Sequence, residues 1–215
     1  MYNGGTMTRG FSNPIYLSER IENMIKKSDY LGRGNNGVVY LLPDGKIIKI
    51  FNSPKVCKSE YETLVKSRKS EYFPKAYEHG SFYIIRDYVG GVRLDKYLRR
   101  NHINRKLTEH IICLYKDFKK LGYRKLDIRC KDLYVQEDYS IKVIDPKNQY
   151  DEKVSYPRHL MRGMEKRGRL EEFLHFLKDV DYKLYESWHE KVYIYIAMKK
   201  EEDRLKELKK QNELV

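Results

Sequence analysis

Residues 123–146 read Tyr-Arg-Lys-Leu-Asp-Ile-Arg-Cys-Lys-Asp-Leu-Tyr-Val-Gln-Glu-Asp-Tyr-Ser-Ile-Lys-Val-Ile-Asp-Pro. Leu133 and Val135, then Ile141, Val143 and Ile144, make two short apolar runs separated by Gln136–Ser140. Such runs flanking a polar turn predict a two-stranded hairpin. Asp132 precedes the first strand and Asp145 ends the second, so the hairpin brings these carboxylates towards each other. With Asp127, three carboxylates stand at the ends of apolar runs. Crowded carboxylates repel, and a hard, oxygen-preferring cation such as Mg²⁺ relieves the repulsion. Three solvated turn aspartates are the plainer reading of this stretch alone.

Working outward, apolar residues at 107, 111, 114, 115, 118 and 121 repeat at helical spacing and stop at Gly122, which predicts a buried helix over 107–121. Further upstream, Leu31-Gly-Arg-Gly-Asn-Asn-Gly-Val-Val-Tyr-Leu-Leu42 carries glycines at 32, 34 and 37. A dinucleotide-binding glycine loop opens a helix. Here Val38–Leu42 is β-branched and aromatic and runs into the turn Pro43-Asp-Gly-Lys46, so the loop joins two strands. In the following strand, 46–51, alternation places Ile47, Lys49 and Phe51 on one face. A lysine among apolar neighbours is costly unless it is paired or exposed.

Ser53-Pro54 supplies an N-cap and a first helical residue for a helix running to about Ser67. Cys57, Glu60, Tyr61 and Leu64 step along its apolar face, so Glu60 points inward. Glu62 is turned about 200° away. Residues 73–91 read as two strands around His79-Gly80, ending in a glycine break, and Val92–Leu98 follows as a short helix. Tyr16–Lys27 predicts a short amphipathic helix with Ser18 as cap, and residues 1–13 read as disordered.

In this order, residues 29–157 resemble the protein-kinase superfamily. The separations of 5 residues from Asp127 to Asp132 and 18 from Asp127 to Asp145 are those of that family's catalytic Asp, its Asn and its Asp-Phe-Gly aspartate. The glycine hairpin with Val39 matches GxGxxGxV. The resemblance implies an α+β, two-lobed fold: a five-stranded antiparallel small lobe over 29–90 after an extension over 1–28, and a reduced helical large lobe over 91–215. It implies ATP as phosphate donor. Gly32, Gly34, Asn35, Asn36, Gly37 and Val39 would lie over the phosphates, Ile47 against the base, and Asp87, Tyr88 and Val89 would offer it backbone groups. Lys49 would hold the phosphates, fixed by Glu60; Asp127 would take the acceptor proton; Asp132 and Asp145 would bind Mg²⁺, with Mn²⁺ the alternative.

The chain departs from the family pattern in several places. Lys125-Leu126 stands for His-Arg, Asp132 for Asn, Pro146-Lys147 for Phe-Gly, and Arg86 for an apolar residue beside the base. Residues 147–157 would be a short activation segment with Ser155 and Tyr156 as phosphoacceptors, but no Ala-Pro-Glu follows. Two last helices are predicted over 165–185 and 186–212, so the chain looks like the small atypical bacterial serine/threonine kinases.

The implied activity is transfer of the ATP γ-phosphate to a hydroxyl of an unidentified protein or small molecule. Alternatives are a pseudokinase that senses nucleotide or acts as a scaffold, and a kinase of a small-molecule, sugar or lipid hydroxyl. A third rests on composition: 44 Lys and Arg against 31 Asp and Glu give +13, which suits a nucleic acid, membrane surface or other anionic partner. No apolar run approaches the ~18 residues of a membrane span. The three cysteines lack metal-ligand spacing, which with the absence of a leader pattern points to a cytoplasmic protein.

Overall fold

The computed structural model describes residues 15–123, 127–144 and 154–212. The glycine-bearing segment is a hairpin of β1 (Asp29–Gly34) and β2 (Gly37–Leu41), and a turn with Gly45 at φ +80° leads into β3 (Lys46–Phe51). Then come α2 (Pro54–Lys66), preceded in the chain by α1 (Glu19–Lys26), and the hairpin β4 (Ala76–His79) and β5 (Tyr83–Asp87). The sheet is five-stranded and antiparallel, in the order β1-β2-β3-β5-β4.

The central place of β3 accounts for its almost continuous burial, because both its faces are covered. Ile48 and Ile50 join Ile15, Ile21, Leu42 and Ile85 in one cluster, while Phe51 joins Cys57, Leu64 and Ile84 in another. Fully burying side chains of this size contributes roughly 1.5–3 kcal/mol each. An exposed pair such as Lys58–Glu62 on α2 contributes about 0.3–0.5 kcal/mol. The apolar clusters therefore seat α1 and α2. Ser18 and Ser53 do occupy N-cap positions, but neither side chain makes the expected cap hydrogen bond.

The chain divides into two units, Met1–Gly90 with Lys142–Asn148, and Gly91–Ile141 with Gln149–Val215. The return of residues 142–144 to the first unit is not visible in linear order; there the Val143 N–H donates to the Tyr72 carbonyl at 2.8 Å.

In the second unit the helix expected from Val92 starts two residues later. β6 (Val92–Arg93) comes first, because its backbone pairs with β7 (Leu133–Val135), and α3 (Leu94–Arg100) follows. α4 (Arg105–Lys120) matches the expected buried helix. The Asn104 side chain caps it by accepting the Leu107 N–H at 2.8 Å, and Gly122 follows its end at φ +74°. A single 3₁₀ turn, Cys130–Asp132, leads into β7, and β8 (Ile141–Val143) closes the expected hairpin across Gln136–Ser140.

The two last helices of the sequence reading are three: α5 (Arg158–Glu165), α6 (Leu170–Val180) and α7 (Tyr182–Asn212). Gly168, at φ +65°, separates the first two. Asp181 ends α6 and, through Oδ1, accepts the Leu184 N–H in the first turn of α7 at 3.1 Å. Tyr115 of α4 meets Trp188 of α7 edge-on at 5.4 Å, both fully buried. The described residues thus form an α+β protein with seven α-helices, none of them long and apolar enough to cross a membrane.

Candidate functional site

In the first unit the polar feature is the Lys49–Glu60 pair. β3 turns Lys49 to the same face as Phe51, and α2 turns Glu60 inward, as the three- and four-residue steps require. Lys49 Nζ lies 2.5 Å from Glu60 Oε2 at 8% and 4% exposure. Nζ also sits 4.7 Å from the centroid of the Phe51 ring. Glu62 points away and meets Lys58 at 3.9 Å. Beside the pair, burial first and the Glu60 charge second push the Cys57 thiol up to about 12.

The glycine hairpin closes on the pair Gly34–Gly37, with Asn35 and Asn36 at its tip. Their carbonyls are held from β3's end: Asn52 Nδ2 donates to Asn35 at 2.8 Å and the Asn52 N–H to Asn36 at 3.1 Å. The glycines have different reasons. A Cβ on Gly37, at φ +154°, would stand 1.9 Å from the Ile50 carbonyl oxygen, so strand packing alone demands glycine there. Gly32 and Gly34 have no atom within 4 Å of such a Cβ and leave their backbone open to an approaching group.

Val39 pairs with Lys49 in the ladder, and Ile47 is buried opposite Arg86. Arg86 itself is buried, its guanidinium donating to the carbonyls of Asp87 at 3.1 Å and Ile144 at 3.2 Å. Asp87, expected to offer backbone groups to a base, has its own partners in the sheet. Its N–H donates to Lys75 O at 3.0 Å, its carbonyl accepts from Arg86, and its carboxylate holds the Lys75 N–H and the Tyr77 hydroxyl. Tyr88 is exposed and Val89 half-buried.

In the second unit Asp127 has a side chain with no exposed surface. Its Oδ1 accepts the His159 backbone N–H at 2.8 Å; Oδ2 accepts Arg158 Nε at 2.8 Å and lies 2.7 Å from His159 Nδ1. Pro157, at the N-cap position of α5, has no side-chain acceptor, and Asp127 supplies one from 30 residues upstream in the sequence. Burial alone would raise its carboxyl. The hydrogen bonds from the His159 ring, from Arg158 and from the His159 backbone outweigh burial and hold it below the ordinary carboxylate range.

Asp132, expected as a metal ligand, is held by Arg129 in a two-point pair, Nε to Oδ2 at 2.6 Å and Nη2 to Oδ1 at 2.7 Å. A guanidinium therefore meets the charge a metal was expected to meet. Asp145 lies outside the described residues, as do Lys125, Leu126 and most of the expected activation segment. Among the described residues no group of three His, Cys, Asp or Glu side chains is placed to hold a metal ion.

The sequence reading missed Arg129, Arg158 and His159. The first had a local signal, an arginine three residues before an aspartate. Nothing in the sequence linked Pro157-Arg-His159 to Asp127. No protein-family model and no curated protein matches this chain.

Proposed function

We propose that the chain is a two-lobed, kinase-like phosphotransferase that moves the γ-phosphoryl group of ATP to a hydroxyl, with serine or threonine on protein as the acceptor. The observation that carries this reading is the buried Lys49–Glu60 pair at 2.5 Å on the sheet face behind the glycine hairpin. A buried lysine fixed by a helix glutamate supplies a positive group of set position, which suits the phosphates of a nucleotide. The open backbone at Gly32 and Gly34 suits the close approach of phosphate oxygens. The residues of the first unit thus fit a nucleoside triphosphate: Lys49 would bind and neutralise, Glu60 would orient Lys49, and the hairpin N–H groups would shield the phosphates from water.

Mg²⁺ does not fit the described residues in the same way. Both oxygens of Asp132 hold Arg129, and among the described residues no group of three metal-ligating side chains is placed there.

The enclosure of Asp127 and the Arg129–Asp132 pair favour one second reading, a pseudokinase that binds nucleotide without transferring phosphate. Calorimetric titration with ATP separates binding from transfer. Binding by the wild type, and at least tenfold weaker binding by Lys49→Met, is the expected result. No ATP binding by the folded wild type overturns both readings and leaves the basic surface as the functional feature.

A further inference from the structure

We propose that a cavity between the end of α4 and the start of α7 is a binding site for a phosphate group, free or carried on a small organic molecule. The inference stands apart from the phosphotransfer reading, because every residue lining the cavity belongs to the second unit. Its volume is about 330 Å³, at the low end of the range for small-molecule pockets.

The charges that face it come from three places in the fold. Lys116 and Lys119 lie three residues apart on one face of α4, and Lys183 stands in the first turn of α7. Asp181, between α6 and α7, is the carboxylate among the lining residues. Its Oδ2 pairs with Lys116 at 2.8 Å and its Oδ1 accepts the Leu184 N–H at 3.1 Å, so both oxygens are engaged. Among the described residues the ammonium groups of Lys119 and Lys183 make no ion pair or hydrogen bond, and Lys119 acts on Asp181 only at longer range. Once Lys116 has met Asp181, Lys119 and Lys183 remain as unmatched positive charges, and the two negative charges of a phosphate match them.

Lys119 has an ordinary explanation as well, since the last carbonyls of a helix favour a cation. Lys183 has none of that kind. The first turn of a helix carries a partial positive charge, which disfavours a lysine, and α7 has no acidic residue in its first turn to offset it. A lysine that breaks a local rule without a compensating contact is accounted for by a partner from outside the chain.

The other walls suit the same ligand. The Ser187 hydroxyl, one turn along α7 from Lys183, adds a donor on the same face. Lysine ammonium groups serve phosphate oxygens as compact point charges. Leu184 and the buried Tyr115, packed edge-on against Trp188, give an apolar surface on which a small organic body can lie.

The test titrates the full-length chain with inorganic phosphate and with phenyl phosphate, read by ¹⁵N NMR at the backbone amides of Leu184 and Ser187. Saturable shifts are expected at both amides. In Lys119→Gln/Lys183→Gln the affinity is expected to fall roughly tenfold or more, with the melting temperature unchanged because neither ammonium holds a partner in the fold. Tighter binding of phenyl phosphate assigns an organic phosphate as the ligand, and equal affinities assign phosphate itself. Shifts that do not saturate, or that keep full affinity in the double variant, overturn the inference and reduce the cavity to part of a generally basic surface. Shifts confined to the amides of residues 32–37 also overturn it, because they put the phosphate at the glycine hairpin.

Discussion

Lys49 on β3 and Glu60 on α2 meet at 2.5 Å in a setting where both side chains are almost wholly enclosed. Taking two charges out of water costs several kcal/mol per ion, and only close, mutually satisfied geometry repays that cost. Removing one partner therefore harms more than removing both. Lys49→Met is expected to lower stability by about 3–5 kcal/mol, with Lys49→Met/Glu60→Leu closer to wild type. Urea unfolding of the single and double variants measures this. A double variant as unstable as the single one would mean that packing, and not the stranded carboxylate, sets the cost.

The glycines of the hairpin are expected to separate into two kinds. Gly37→Ala forces its Cβ into the Ile50 carbonyl and loses about 1–3 kcal/mol, or more if β2 and β3 part. Gly34→Ala meets open space and leaves the melting temperature within a degree or two, yet weakens ATP binding. Thermal melts with and without ATP read both effects. Equal destabilisation by the two substitutions would place the hairpin differently.

Asp127 makes stability depend on acid. Its carboxyl is held below the ordinary range in the folded protein, so its contribution is complete above the unfolded-state pKa of about 3.9. It is lost as pH falls through the lower folded value. Asp127→Asn removes that contribution, so the stability gap between wild type and variant is expected to be constant near neutrality and to close below about pH 4. Denaturant unfolding at a series of pH values reads the gap. A gap that widens on acidification would contradict the depressed carboxyl.

Asp181 joins α6 to α7. Its carboxylate accepts the Leu184 N–H and pairs with Lys116 of α4 at 2.8 Å, and the Lys116 bond first, with the Leu184 bond, draws its carboxyl below the ordinary range. Asp181→Ala is expected to cost about 0.5–2 kcal/mol through the lost cap. Asp181→Asn keeps the acceptor and should recover most of it. Equal losses in both would assign the effect to the ion pair.

Much of the fold was legible because its signals are local. Period-two alternation in 46–51, the Gly-rich turn followed by β-branched residues, and the helical steps through Cys57, Glu60 and Leu64 each fix a face within a dozen residues. Glu60 over Glu62 followed from helix geometry alone. What failed to show depends on distant partners. Val92 looked helical until β7 was there to pair with it. Asp181, a helix-neutral residue in sequence, became a break because its side chain serves the next helix. The Asp127 surroundings were the least legible: the spacing to Asp132 suggested its place, but Arg158 and His159 come 31 and 32 residues later and carry no pattern pointing back. Arg129 was passed over because a basic residue in so basic a chain draws no notice.

The measurement closest to the central claim is intact-mass analysis of the full-length protein after incubation with ATP and Mg²⁺ or Mn²⁺, in the presence of a generic serine- and threonine-bearing protein acceptor. Lys49→Met, shown to be folded by its melting curve, runs beside it. The expected result is a mass increment of whole phosphate groups on the protein or the acceptor with the wild type and none with Lys49→Met. Phosphate-free wild type and acceptor, under conditions where ATP binding is saturated, would contradict phosphotransfer to protein.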